Sequence, residues 1–164
     1  YSWNKLANVI FIEQPAGVGF SFSDSKMENY TDAQTANDNH LFIKGWFEKF
    51  PQYAKNDFYL TSESYGGHYL PTLTKSIVDA ADIPNFKGFA VGNPLTYMEY
   101  RNFGQYATYA GHQLLPAPLF NQYEEYQCRY QVENVTDECN AVMGQMDNLT
   151  SLIDPYALDF PICV

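Results

Sequence analysis

The sequence predicts an α/β fold in which helices cover a parallel sheet. Short apolar runs alternate with longer segments in which apolar residues recur at helical spacing, in the order strand, helix, strand, helix, strand. Because parallel strands need a crossover connection, usually a helix, this alternation is typical of a parallel sheet. The alternation stops after residue 95, so residues 1–95 are expected to form part of a sheet-containing core.

The first strand is predicted at residues 8–12, which read NVIFI. A continuous apolar run rich in β-branched residues is typical of a strand buried on both faces of a parallel sheet. Residues 13–19 contain one proline and two glycines, which predicts a tight loop. A later strand is predicted at residues 88–91, ending at the Gly-Asn-Pro turn of residues 92–94.

A helix is predicted over residues 31–50, beginning beside Thr31 and Asp32 and ended by Pro51. The residues expected on one face of this helix are Ala36, His40, Phe42, Ile43, Trp46 and Phe47. Because His40 falls on this stripe, we interpret it as a core or boundary histidine and not as a catalytic one.

A cluster of small residues lies between a strand predicted at residues 57–61 and a helix predicted at residues 66–80. Ser64 stands at its apex, with Ser62 two residues before and Gly66 two residues after. This is the pattern of a nucleophile elbow, a strained strand-to-helix turn that exposes a serine hydroxyl and needs small flanking residues. Serine at position 62 departs from the pattern, which has glycine there. The alternative is an ordinary loop with no catalytic role.

An active serine needs a base, an acid that orients the base, and donors for the oxyanion. The backbone N–H of Tyr65, directly after Ser64, is expected to be one donor. The N-terminus of the helix at residues 66–80 also favours negative charge developing at Ser64.

Residues 63–71 (ESYGGHYLP) resemble the active-serine signature of the serine carboxypeptidase family, within the α/β-hydrolase fold. Residues 8–23, 46–53 and 88–94 resemble further blocks of this family in the same order. The resemblance implies a peptidase that removes C-terminal residues through an acyl-enzyme on Ser64, at acidic pH. Two alternatives stay open: an acyltransferase that uses the same serine with an alcohol acceptor, and a non-catalytic glycoprotein that kept the fold as a scaffold.

The resemblance also implies roles for single residues. Glu63, when protonated, would donate a hydrogen bond to the substrate carboxylate, together with a second glutamate outside the chain. Leu95 matches a position near the pocket for the penultimate side chain. Glu13 matches a structural position, and a cis bond is expected before Pro15.

The catalytic aspartate and histidine are expected beyond Val164, because this fold places both well downstream of the serine. His68 matches a variable position of the family, and His112 resembles a Gly-His segment of the cap. A glycine-rich loop that supplies the second oxyanion donor is expected before residue 1. The sequence is therefore interpreted as a piece of a longer protein, inactive by itself.

Residues 96–164 are predicted to form a largely helical cap insertion, with helices at residues 97–113, 116–131 and 137–146. The tyrosines of this segment line a substrate pocket or form the core of the cap. The resemblance implies a short disulfide in the cap, so Cys128 is expected to pair with Cys139, and Cys163 with a cysteine beyond the chain. The alternative is three free thiols.

Composition excludes several functions. The formal charge is −10 and the nine basic residues form no cluster, which argues against a nucleic-acid partner. No apolar run approaches the roughly 20 residues of a membrane span. The cysteines and histidines lack metal-ligand spacing, so neither a metal nor another cofactor is expected. The expected partner is a peptide or protein with a free C-terminus, and the sequence does not predict the oligomeric state.

Three Asn-x-Ser/Thr sequons begin at Asn29, Asn134 and Asn148. Each is a candidate glycosylation site if exposed. Together with the cysteine pattern, they predict a secretory-pathway protein that is vacuolar, lysosomal or secreted.

Overall fold

A computed structural model describes residues 1–24 and 29–160 of the chain. The chain divides into two compact units, residues 1–96 and a second unit that begins at Tyr97. The helices and strands of the first unit are α1 (Asp32–Lys49), β1 (Phe58–Glu63), α2 (Gly66–Ala80) and β2 (Phe86–Gly92), with short 3-10 turns at Trp3–Lys5 and Pro51–Tyr53.

Strands β1 and β2 pair in parallel, and α2 is the connection between them. Phe58 lies opposite Phe86, and after one irregularity the register continues from Tyr59 opposite Gly88 to Glu63 opposite Gly92. The predicted strand–helix–strand arrangement is confirmed, and α2 has the predicted bounds. Both strands extend beyond their predicted carboxyl ends, so that Glu63 and Gly92 are the last residues of neighbouring strands.

Residues 8–12 do not form the predicted strand. Within the described residues the sheet has two strands, and the side chains of Ile10, Phe11 and Ile12 are 41%, 90% and 38% exposed. An apolar run can indicate that a segment is suited to burial, but a strand also needs a neighbour that satisfies its backbone N–H and C=O groups. The prediction was wrong because the sequence pattern does not specify that neighbour.

Helices α1 and α2 pack together and α2 packs on the sheet. The capping box at the start of α1 is complete, because the Thr31 hydroxyl accepts from Gln34 N at 3.2 Å and Gln34 Oε1 accepts from Thr31 N at 3.1 Å. The buried core of the first unit consists of Ala36, Ile43, Leu70, Leu73, Ile77 and Ile83. Phe42 was predicted on the buried stripe of α1 but is exposed.

His40 is a buried structural histidine, as predicted. Its Nδ1 lies 2.8 Å from Ser76 Oγ on α2, and its Nε2 lies 2.8 Å from Asp82 Oδ1 just after α2. Lys44 Nζ contacts the other carboxylate oxygen of Asp82 at 2.7 Å. These contacts tie α1 to the far end of α2 and leave both ring nitrogens of His40 partnered.

Replacing Asp82 by asparagine is expected to lower the melting temperature at neutral pH. The hydrogen bond from Lys44, and after it the one from His40, holds the pKa of Asp82 below its usual value. A carboxylate with a lowered folded-state pKa stabilises the fold above its unfolded pKa of about 4, and this contribution is lost as pH falls through the folded value. The difference between the variant and the wild type should therefore be smaller at about pH 3 than at neutral pH.

Thermal unfolding at both pH values checks this expectation. Asp79→Asn is the matched control, since Asp79 is an exposed carboxylate three positions earlier, on α2, and pairs only with Lys75 in the described part of the chain. An Asp82→Asn variant with an unchanged melting temperature at pH 7 would contradict the expectation.

The second unit contains three helices within its described residues: α3 (Met98–Gly111), α4 (Ala117–Glu125) and α5 (Asp137–Thr150). The prediction of helices in this unit is confirmed, but the helix predicted at residues 116–131 is shorter. It stops at Glu125, Gln127 adopts a left-handed φ of 53°, and a 3-10 turn follows at Cys128–Tyr130. Helix α5 continues four residues beyond its predicted end, to Thr150.

The core of the second unit includes the predicted disulfide. Cys128 and Cys139 are bonded and buried. The rest of this core consists of Tyr106, Tyr109, Leu115, Tyr123, Val142 and Met146. Three of the tyrosines are therefore core residues of this unit. Cys163 lies outside the described residues, and its pairing with a cysteine beyond the chain stays a prediction.

Tyr123→Phe is expected to stabilise the protein, whereas Tyr106→Phe is expected to destabilise it. Tyr123 is fully buried, and its hydroxyl has no hydrogen-bond partner among the described residues. Burial raises the pKa of Tyr123 to about 12, so this hydroxyl stays protonated at neutral pH. Removing an unpaired buried hydroxyl should raise the free energy of unfolding by about 1–2 kcal/mol.

Tyr106 is the matched control, because the same atom is removed from a ring 5.2 Å from that of Tyr123. The Tyr106 hydroxyl donates to Asp147 Oδ1 at 2.8 Å, so its loss should cost about 1 kcal/mol. Urea denaturation measures both effects. Changes of the same sign in the two variants would contradict the expectation.

Candidate active site

Ser64 occupies the turn between β1 and α2 with a φ of 55°. This left-handed conformation is uncommon for a residue with a side chain and stores backbone strain that the surrounding structure must hold in place. The strand-to-helix turn with a strained serine at its apex is the geometry that the sequence pattern predicted for a nucleophile elbow.

Backbone hydrogen bonds hold Ser64 from both sides. Its N–H donates to Gly92 O at 3.0 Å, and its carbonyl accepts from Gly67 N at 3.0 Å and from Leu95 N at 2.8 Å. The elbow is thus fixed to the carboxyl end of β2 and to the residues that follow it. These hydrogen bonds are all between main-chain atoms, so they hold the strained turn independently of the Ser64 side chain.

Two glycines after Ser64 allow the start of α2 to lie close to Ser62 and to the backbone of Leu95. A Cβ placed on Gly66 would overlap the Cβ and Oγ atoms of Ser62, and one placed on Gly67 would lie 2.8 Å from the carbonyl carbon and 2.9 Å from the nitrogen of Leu95. Real Cβ atoms essentially never approach other atoms so closely. Serine at position 62 fits the turn because residue 66 has no side chain.

The backbone N–H of Tyr65 is available to a ligand. Within residues 1–24 and 29–160 it donates to no acceptor, whereas the Tyr65 carbonyl accepts from His68 N at 2.9 Å. Tyr65 directly precedes the first residue of α2, so its N–H belongs to the positive end of that helix. This arrangement can bind an anion or a developing oxyanion beside Ser64.

The Tyr65 side chain contacts a residue that the sequence did not indicate. Its hydroxyl lies 3.4 Å from Oδ1 of Asp32, and Oδ2 of Asp32 lies 3.9 Å from Nδ1 of His68. The Tyr65 ring packs against the rings of His68 and Tyr69, with centroids 4.8 and 4.9 Å away. Asp32 is separated from Tyr65 by 33 positions, and no local pattern connects them.

None of the histidines in the described part of the chain is hydrogen-bonded to the Ser64 hydroxyl. His40 is occupied by Ser76 and Asp82, and His68 faces Asp32. His112 follows α3 in the second unit. The described residues therefore bring together the serine and a possible oxyanion donor, without a general base.

Glu63 and Leu95 lie on either side of the elbow. Glu63 is the last residue of β1, pairs with Gly92 and is exposed. Leu95 is half-buried and closes the turn through its backbone. The structure thus places both predicted binding residues beside Ser64: Glu63 directly precedes it at the carboxyl end of β1, and the backbone N–H of Leu95 donates to its carbonyl.

Glu13 has the structural contacts that the resemblance implied. Its Oε2 accepts from Phe20 N at 2.6 Å, and its carbonyl accepts from the Ser21 hydroxyl at 2.6 Å. The Glu13 carboxylate fills the space that a side chain on Gly19 would need. The peptide bond between Gln14 and Pro15 is cis, as expected.

The three sequon asparagines are exposed. Asn29 lies before α1 and Asn134 lies in the loop before α5. Asn148 lies within α5, where the hydroxyl of its sequon partner Thr150 is buried and donates to Met146 O at 2.9 Å. Exposure is compatible with glycosylation at all three, which stays a prediction.

No group of three or more His, Cys, Asp or Glu side chains in residues 1–24 and 29–160 is arranged to hold a metal ion. None of the helices there combines the length and apolarity that a membrane span requires.

The known sequences that are similar to this chain, described next, point to one family. The sequence model of the serine carboxypeptidase family matches residues 1–164. Serine carboxypeptidase 24 of Arabidopsis thaliana is 40% identical over 172 residues, an alignment that covers 100% of this chain and 37% of the relative. Serine carboxypeptidase-like 26 of Oryza sativa subsp. japonica is 37% identical and is covered over 36% of its length. The chain thus spans little more than a third of these relatives.

A solved structure shows the same fold. The crystal structure of Kex1(delta)p, described as a prohormone-processing carboxypeptidase from Saccharomyces cerevisiae, matches with a TM-score of 0.67. The match covers 85% of this chain and 35% of that chain at 20% sequence identity. At this identity the likeness concerns the fold, and it confirms the predicted α/β-hydrolase class.

Proposed function

Because the chain belongs to the serine carboxypeptidase family, we propose that it carries the nucleophile of a serine-type carboxypeptidase that hydrolyses C-terminal peptide bonds at acidic pH. One observation carries the proposal: Ser64 stands in a strained left-handed turn between β1 and α2 that main-chain hydrogen bonds hold in place. The backbone strain has an evident use if the Ser64 hydroxyl must be presented to a substrate.

In the proposed reaction the Ser64 oxygen attacks the carbonyl of the last peptide bond and forms a tetrahedral intermediate. The unoccupied N–H of Tyr65, at the start of α2, donates to its oxyanion. The C–N bond then breaks, the amino group of the leaving residue takes a proton, and water hydrolyses the acyl-serine. A histidine and an aspartate outside residues 1–164 supply the base and its orienting acid.

Glu63 is proposed to select substrates with a free C-terminus. Glu63 is exposed and directly precedes Ser64 at the carboxyl end of β1. In its protonated form the carboxyl donates a hydrogen bond to the substrate carboxylate, whereas in its ionised form it repels that carboxylate. Recognition therefore weakens as pH rises, which accounts for activity in an acidic compartment. With the exposed sequons and the disulfide, this supports a vacuolar, lysosomal or secreted protein.

Glu63→Gln is expected to flatten the pH dependence of peptide hydrolysis. Glutamine stays neutral and keeps an N–H donor at every pH, so the loss of kcat/KM from acidic to neutral pH that a charged Glu63 would cause should shrink. Ester substrates without a free carboxylate should respond less. Rate profiles across this pH range measure both effects.

Glu48→Gln serves as the control for this prediction, because Glu48 is an exposed glutamate on α1. Its pH profile should match the wild type. A Glu63→Gln protein with the wild-type peptide profile would remove Glu63 from this role.

The proposed function is tested with protein expressed from the complete coding sequence that contains residues 1–164. A peptide with a free C-terminus and its C-terminal amide are incubated at acidic pH, and the products are followed by mass spectrometry. We expect loss of one C-terminal residue at a time, faster from the free acid. Cleavage at internal bonds, or no cleavage at all, would contradict the proposal. Preferential transfer of the acyl group to an added alcohol would instead indicate an acyltransferase.

A further inference from the structure

We propose that Asp32 is a positioning residue for the proposed reaction, which holds the side chain of Tyr65 beside the nucleophile. This inference rests on the proposed function. Asp32 is the first residue of α1, and its two carboxylate oxygens face two residues of the elbow region. Oδ1 lies 3.4 Å from the Tyr65 hydroxyl, and Oδ2 lies 3.9 Å from Nδ1 of His68.

The Tyr65 ring needs such a restraint because it lies at the surface. It is 44% exposed, although its ring packs against His68 and Tyr69 on α2. Both neighbours lie on α2, which directly follows the turn, and they contact the ring and not the hydroxyl end of the Tyr65 side chain. Asp32 is the contact that reaches this end from another element, the start of α1.

The Tyr65 hydroxyl is suited to a lasting contact with a carboxylate. Partial burial, and after it the charge of Asp32, raises the pKa of Tyr65 above its ordinary value. The hydroxyl is therefore protonated, and can donate, at every pH at which a peptidase would work. A carboxylate can accept such a hydrogen bond without gaining or losing a proton.

Tyr65 connects this contact to the chemistry. It follows Ser64 directly, and its backbone N–H is the proposed oxyanion donor. A fixed side chain narrows the range of backbone orientations of Tyr65, and with it the direction of the N–H that is proposed to bind the oxyanion. Loss of the restraint should therefore slow acylation of Ser64 by misaligning this donor.

Asp32 also has a purely structural alternative role. A carboxylate in the first turn of a helix stabilises that helix through its dipole, whatever the residue does elsewhere. Stability alone therefore cannot test the proposal. The start of α1 is independently capped by Thr31 and Gln34, so α1 should still form without Asp32.

The test measures the acylation of Ser64 as the burst of p-nitrophenol from a p-nitrophenyl ester, in protein expressed from the complete coding sequence. The variants are Asp32→Ala, Tyr65→Phe, the double variant and Asp32→Asn. Loss of one modest hydrogen bond should slow acylation about two- to fivefold in each single variant. The double variant should be no slower than either, because both changes remove the same contact. Asp32→Asn keeps an acceptor oxygen and should recover most of the wild-type rate.

Melting temperatures measured in parallel separate positioning from stability. Asp79→Ala is the control, since it removes an exposed carboxylate thirteen positions after the start of α2, about 20 Å along the helix. It should leave the acylation rate unchanged. The proposal is overturned if Asp32→Ala or Tyr65→Phe acylates at the wild-type rate, if their effects add in the double variant, or if Asp32→Asn is as slow as Asp32→Ala.

Failure of the proposed function would have a different signature. If Ser64→Ala releases p-nitrophenol with the same burst as the wild type, Ser64 is not the nucleophile, and the role of Asp32 falls with it. If the burst depends on Ser64 but the Asp32 variants behave as the wild type, the inference on Asp32 alone is wrong.

Discussion

Ser64→Ala is expected to abolish peptide hydrolysis by protein expressed from the complete coding sequence. Without the hydroxyl no acyl-enzyme can form, and the oxyanion donor and binding contacts that remain cannot supply a nucleophile. Removal of the nucleophile from a serine protease typically lowers kcat by roughly 10⁴- to 10⁶-fold. The measurement is the release of C-terminal residues from a free peptide at acidic pH.

The fold should survive this substitution. The turn at Ser64 is held by its backbone contacts with Gly92, Gly67 and Leu95, and these do not involve the side chain. Ser151→Ala removes a hydroxyl at the end of α5 and is the control for the loss of any serine. Unchanged hydrolysis by Ser64→Ala, or loss of activity explained by unfolding in circular dichroism, would each remove the support for Ser64 as the nucleophile.

Local patterns predicted those elements whose determinants are close in sequence. Helix α2 has its predicted bounds because the small residues after Ser64 and the apolar spacing behind them lie in one continuous segment. The start of α1 was predicted from Thr31 and Asp32, which are also adjacent, and the structure adds a capping box between Thr31 and Gln34. The strand predicted at residues 8–12 does not form, because strand formation depends on a neighbouring strand that the segment itself does not specify.

The same distinction applies to the candidate site. Ser64, Tyr65 and Glu63 are adjacent in sequence, so one motif predicted all of them and their placement at the end of β1. Asp32 was missed because its contact with Tyr65 depends on how α1 packs beside the elbow, which the spacing of residues does not reveal. The resemblance to a family supplied roles for Glu63 and Leu95 that the residues alone do not carry.

Gly66→Ala is expected to destabilise the elbow, and Ser62→Gly is expected to relieve the damage. The new methyl group would overlap both the Cβ and the Oγ of Ser62, in a turn that main-chain hydrogen bonds prevent from opening. Overpacking of this kind lowers the free energy of unfolding by about 1–3 kcal/mol. Removing the whole side chain of residue 62 clears the space, although glycine in a strand itself costs about 0.5–1 kcal/mol. The double variant should therefore be more stable than Gly66→Ala and less stable than the wild type.

Two further variants test the steric explanation. Ser62→Ala keeps the Cβ that overlaps the new methyl group, so it should not rescue Gly66→Ala. Gly67→Ala should be at least as destabilising as Gly66→Ala and should have no such remedy, because its methyl group would meet the backbone of Leu95, which no substitution can trim. Urea denaturation of the wild type, Gly66→Ala, Ser62→Gly and their double variant gives the coupling between positions 62 and 66. Additive effects of Gly66→Ala and Ser62→Gly would show that the two residues do not compete for space, and that serine replaces glycine at position 62 for another reason.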